Sequence, residues 1–159
     1  MKFTIIHIEP LSGEKAHIYS LKYEGKDVTE LQGFTYKFYD SHFEVIAKTI
    51  QRIQTISKRD GIQDSFFKRE SPGSHNVFRL SNTKKNIRLY CIKFSRIMLL
   101  FGTGTIKKEG TIKNVENPAI EKIIDDLMKI EDSINKRLDS GDLKITPNGF
   151  EGDLTNLEI

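Results

Sequence analysis

Apolar residues recur along the chain with two different periods, and the switches between them divide it into elements. Residues 2–8, Lys-Phe-Thr-Ile-Ile-His-Ile, are β-branched and aromatic and run up to Pro10, the pattern of a strand stopped by a turn. Residues 16–23 and 29–39 read as two further strands joined by Glu24-Gly25-Lys26-Asp27, a glycine-containing turn, with Gly33 interrupting the second arm. A β-hairpin inserted over residues 11–39 is therefore expected. Ser41 and Glu44 then have the spacing of a capping box, and Phe43, Ile46, Ala47, Ile50, Ile53 and Ser57 form one apolar stripe at helical spacing. This first main helix ends in Lys58, Arg59 and Gly61, and residues 62–75 continue as a short helix or turn and a loop.

From Val77 the period returns to two. Residues 77–80, 87–94 and 97–101 read as a three-stranded antiparallel meander, with Gly102-Thr103-Gly104 ending the third strand. Alternation puts Arg88, Tyr90, Ile92 and Phe94 on one face of the middle strand and Ile87, Leu89, Cys91 and Lys93 on the other. Asn117-Pro118 caps and opens the second main helix, whose stripe of Ile120, Ile123, Ile124, Leu127, Ile130, Ile134 and Leu138 runs to Gly141 with its acids facing outward. Residues 142–159 read as a small hairpin or a frayed acidic tail. Together these elements predict an α+β fold, an antiparallel meander packed against two main helices. It is one domain over residues 1–141 with a C-terminal extension.

Composition narrows the setting. The chain has 159 residues, enough for one ordinary core, with 37% hydrophobic and 30% charged residues. One cysteine, Cys91, rules out an intramolecular disulfide and fits a reducing, cytoplasmic compartment. The apolar N-terminal stretch is broken by His7 and Glu9, so no signal peptide is expected, and the five-residue run 97–101 is far too short to span a membrane. His7, His17, His42 and His75 show no metal-ligand spacing, and no cofactor motif is present.

Charge changes the picture more. Residues 68–113 hold eleven Lys or Arg against two acids, and residues 114–159 hold eleven acids against five bases. The basic segment coincides with the meander, so its charges are expected on a folded sheet that faces a polyanion. The acidic end is expected to screen that face.

The order of helix, basic loop, meander, glycine-containing strand end, Lys-Lys and helix resembles the RelE/ParE superfamily of bacterial type II toxins, most of all its HigB-like branch. The likeness rests on Asn76-Val77-Phe78-Arg79-Leu80, on Asn86-Ile87-Arg88-Leu89-Tyr90, and on Ile97-Met98-Leu99-Leu100-Phe101-Gly102 leading to Lys107-Lys108, over roughly residues 40–135. The extra Thr103-Gly104-Thr105-Ile106 lengthens the step to the lysine pair. The resemblance implies an mRNA interferase that cuts messenger RNA on the ribosome without a metal, by attack of a ribose 2′-OH on the adjacent phosphate. It also implies a cognate antitoxin as partner.

Carried over residue by residue, Arg88 matches the strand arginine that stabilises the phosphate, Arg79 the basic position on the preceding strand, and Lys107 and Lys108 the basic pair. His75 and Tyr90 are candidates to move a proton. Lys68, Arg69, Lys84 and Lys85 extend the RNA-binding surface. Each assignment has an alternative: Arg88 as a surface residue paired with an acid of the second helix, Tyr90 as core, His75 as a loop hydrogen-bonding residue, and the lysine pair as solvated charge. The superfamily also contains members that bind gyrase without cutting RNA, so a binding module of the same fold is the second reading.

Overall fold

A computed structural model describes residues 1–81, 87–106 and 117–159. Two sequential strands, β1 (Lys2–His7) and β2 (His17–Tyr23), pair antiparallel, and are followed by α1 (Glu30–Phe38) and α2 (Phe43–Thr55). Strands β3 (Phe67–Arg69), β4 (Val77–Leu80), β5 (Ile87–Ser95) and β6 (Met98–Ile106) come next, and then the 23-residue α3 (Pro118–Ser140). The chain finishes with β7 (Leu143–Thr146), β8 (Gly149–Gly152) and β9 (Leu157–Glu158). Seven strands form one sheet in the order β3-β4-β5-β6-β2-β1-β9, while β7 and β8 pair separately. All described pairings are antiparallel except β2 with β6, which is parallel. The fold is α+β with a mostly antiparallel mixed sheet and three helices.

The sheet is buried on both faces. Ile18, Leu89, Cys91 and Phe101 pack on one side under α1 and α2, with Phe34, Ile46 and Ile53. On the other side Ile5, Tyr90, Ile92 and Leu100 pack against Leu127, Ile130 and Ile134 of α3 and Phe150 of the β7–β8 hairpin. This division follows the predicted alternation along β5. No helix among the described residues is long and apolar enough to cross a membrane.

Several expected elements differ. The second arm of the predicted 11–39 hairpin is helix α1, and the hairpin that forms joins β1 to β2 instead. Thr29 and Gln32 make a reciprocal capping box, Gly33 N–H reaches Thr29 carbonyl, and Leu31 and Phe34 are buried at helical spacing. Local capping and a helical stripe outweigh the β-rich composition of this segment. The Ser41/Glu44 box, by contrast, is unused. His42 is the α2 cap without a side-chain bond, and Ser41 Oγ bonds His42 Nδ1.

The α2 stripe is also rotated: Val45 and Thr49, and Ile56 in the turn that follows, are buried where Phe43 and Ala47 are exposed. Strand β6 runs on through Gly102-Thr103-Gly104 to Ile106. A Cβ on Gly102 would lie 2.9 Å from a Leu127 methyl, and one on Gly104 would lie 2.5 Å from the Arg88 carbonyl oxygen. These glycines therefore admit close neighbours on a continuing strand instead of ending it. Finally, residues 142–159 are not a frayed tail: Leu143, Phe150 and Leu157 are buried, and β9 pairs with β1.

Candidate functional site

The outer strands β3, β4 and β5 place a short row of polar side chains on the face that α3 covers elsewhere. Register sets Lys68 opposite Arg79 and Arg79 opposite Tyr90. Alternation along β5 adds Arg88, whose partner across β6 is Thr105. Glu70, just past the end of β3, completes the group: its carboxylate accepts from Arg79 Nε at 3.0 Å, with the two side chains 23% and 16% exposed. Backbone pairing holds this geometry, since Glu70 N–H donates to Val77 carbonyl at 2.9 Å.

The four groups feel one another. Burial lowers the Arg88 guanidinium from its ordinary value, Arg79 adds to that by like-charge repulsion, and Tyr90 and Glu70 oppose it. Tyr90 is only 1% exposed, and burial, reinforced by the Glu70 charge and opposed by both arginines, pushes its phenol up to about 12. At neutral pH Tyr90 therefore keeps its proton. Two guanidiniums against one carboxylate leave the cluster with an excess positive charge, in a partly desolvated setting where a phosphate interacts strongly. Arg88 Nη1 also donates to the Ile87 carbonyl at 3.3 Å.

His75 lies elsewhere. Its Nε2 is 3.0 Å from Asp132 Oδ1 on α3, and its carbonyl accepts from Ser71 Oγ and from Arg69 Nη1. Next to it, Asn76 donates its backbone N–H and side-chain amide to Glu131 at 2.9 Å each. Asn76 sits beside Lys93, five residues and about 17 Å along β5 from Arg88. The loop between β3 and β4 is thereby tied to α3, and His75 serves that tie.

Lys68 is exposed on the same face as Arg79, whereas Arg69 turns to the other face, its guanidinium 4.9 Å from the Phe78 ring centre. Lys84, Lys85, Lys107 and Lys108 lie outside the described residues. The structure thus brings together Arg79, Arg88, Tyr90 and Lys68, and does not bring His75 to them. Glu70 went unmarked in the sequence, although it is one of only two acids in the basic stretch 68–113. Glu131 departs from the outward orientation expected of the acids on this helix. It is 2% exposed, and its position between Leu127 and Ile134 puts it on the apolar stripe itself.

Among the described residues, no group of three or more His, Cys, Asp or Glu side chains is arranged to hold a metal ion. Compared with protein families, with characterised proteins and with solved structures, the chain matches none.

Proposed function

We propose that this protein is the toxin component of a type II toxin-antitoxin pair, a metal-independent endoribonuclease that cuts mRNA on the ribosome. The observation that carries this reading is the Arg79-Glu70-Arg88 cluster, a carboxylate paired with one guanidinium and within the field of a second on a partly buried sheet face. RNA cleavage by its own 2′-OH needs a proton acceptor beside the hydroxyl and fixed cations beside the scissile phosphate. In this reading the entering phosphate takes Arg79 from Glu70, and the released carboxylate accepts the 2′-OH proton. The 2′ oxygen bonds to phosphorus, Arg88 and Arg79 hold the added negative charge, and the bond to the 5′ oxygen breaks. Glu70 then returns its proton to that oxygen, leaving a 2′,3′-cyclic phosphate and a 5′-hydroxyl. Tyr90 keeps its proton and forms the floor of the cluster. Support from sequence is the resemblance to RelE/ParE toxins in the strands carrying Arg79 and Arg88.

Expression of the protein should arrest growth, and Arg88→Ala should relieve the arrest while circular dichroism and the melting temperature show an intact fold. Purified protein should cut mRNA on programmed ribosomes, and toxicity retained in the folded variant would overturn the assignment. A second reading is a non-catalytic module of the same fold that binds gyrase or nucleic acid. It is favoured by the Arg79 ion pair and by the engagement of His75 with Asp132. Gyrase inhibition, or RNA binding that falls steeply with salt, in the absence of cleavage would select it.

A further inference from the structure

The opposite edge of the sheet carries a second basic concavity. Lys2 and Thr4 on β1 and Lys22 on β2 share the face away from Phe3 and Ile5, with Thr4 directly across from Lys22. No residue of β1 belongs to the core under α1 and α2, so this corner of the sheet is uncovered. The turn after β2, closed by Lys26 N–H donating to Tyr23 carbonyl and by Gly25 at φ 82°, brings Lys26 to the same place. Asn156 closes the far side. The result is a pocket of about 290 Å³ lined by Lys2, Thr4, Lys22, Lys26 and Asn156, among others, with Glu24 its one acid.

Two features separate this pocket from a scatter of surface lysines. Asn156 is the one non-glycine residue with positive φ among the described residues, at 55°, a left-handed conformation that Asn accepts more readily than other side chains do. Arg137 of α3 holds this segment in place, donating to the carbonyls of Asp153 and Asn156 at 3.1 Å each. The pairing of β9 with β1 fixes the same segment from the other end. Secondly, none of the three lysines forms an ion pair within 4.0 Å among the described residues, although Lys26 is near enough to act on Glu30. Three lysines, a threonine and an asparagine thus line one pocket, which carries a net positive charge. That is the chemistry of a phosphate group.

We propose that this pocket binds a small phosphorylated molecule of about mononucleotide size, its phosphate held by Lys2, Lys22 and Lys26 and oriented by Thr4 and Asn156. The volume suits such a ligand, standing near the lower end of small-molecule sites. The pocket is separate from the Arg79-Arg88 cluster. It lies on the other face of the sheet and, from β1 to β5 or β4, three or four strand spacings away, about 14–19 Å.

The test is an amide-resolved NMR titration of the full chain with AMP and with inorganic phosphate at constant ionic strength. Saturable shifts at Thr4, Lys22, Gly25 and Asn156 are expected, with affinity about tenfold weaker in Lys22→Gln, the loss of one charge-assisted contact. Arg88→Ala should leave the titration unchanged, which separates this site from the proposed ribonuclease centre. Lys2→Gln provides a second variant in case Lys22→Gln is poorly folded. Shifts reproduced by sodium chloride alone, equal binding by the lysine variants, or no saturation would overturn the proposal. So would a short single-stranded RNA that binds these residues far more tightly than AMP, since that selects a nucleic-acid track.

Discussion

A carboxylate almost wholly withdrawn from water, Glu131 joins α3 to the loop before β4 through two donors of one asparagine. Glu131→Ala would leave the Asn76 N–H and amide unpaired and is expected to cost about 2–3 kcal/mol, read as a fall in melting temperature of roughly 5–10 °C. Exposed Asp132→Ala, which removes only the His75 contact, should cost far less. Glu70 belongs to the same scale but to chemistry: under the proposed function, Glu70→Gln should lower mRNA cleavage by about 10²–10⁴-fold without weakening RNA binding, because Arg79 is freed. A variant that still cuts at the native rate would remove Glu70 from the mechanism.

A third carboxyl, Glu30, lines a small cleft with Tyr23 and Asp126. Burial raises its pKa, Lys26 opposes the rise and Asp126 reinforces it. The folded protein therefore holds this proton at a pH where the unfolded chain has lost it, and stability falls as pH climbs from about 4.5 through the raised value. Thermal melts across pH 4–7 should show this slope reduced in Glu30→Gln.

At the scale of elements, β6 leaves little room for change at its glycines. A methyl at Gly104 would press on the Arg88 carbonyl and the Leu89 Cα, backbone atoms that cannot turn aside, as well as the Phe34 ring. Gly104→Ala should destabilise by about 1–3 kcal/mol, whereas Gly73→Ala, with nothing within 4 Å, should be close to neutral in the same denaturant titration. The sharing of a face by Arg88 and Tyr90 could be read from the sequence because alternation in a strand is a local property. The α3 cap at Asn117-Pro118 and its isoleucine stripe were legible for the same reason. Helix α1 was hidden by the Thr, Tyr and Phe that fill it, although Thr29 and Gln32 already stood at capping-box spacing. What no local pattern records is which distant strands meet. Glu70 reaches Arg79 only because β3 pairs with β4, and β2 finds β6 across some eighty residues.

For the molecule as a whole, the opposition of a basic middle and an acidic end takes a different form from a tail folding over a face. The acidic end is structural: its hairpin packs on Tyr19, whose hydroxyl accepts from Phe150 N–H, and its last strand extends the main sheet. Removing residues 142–159 would therefore take Leu143, Phe150 and Leu157 out of the core, and loss of cooperative unfolding is the expected result, not tighter RNA binding. The pairing of β9 with β1 has one more consequence. Met1 and Ile159 exchange hydrogen bonds at 2.9 and 3.0 Å across 158 positions of sequence, so during synthesis the outer side of β1 has no native partner until residues 157–159 have emerged. Until then an unprotected strand edge is open to pairing with another chain, and β1 is a point of misassembly for as long as β9 has not been made.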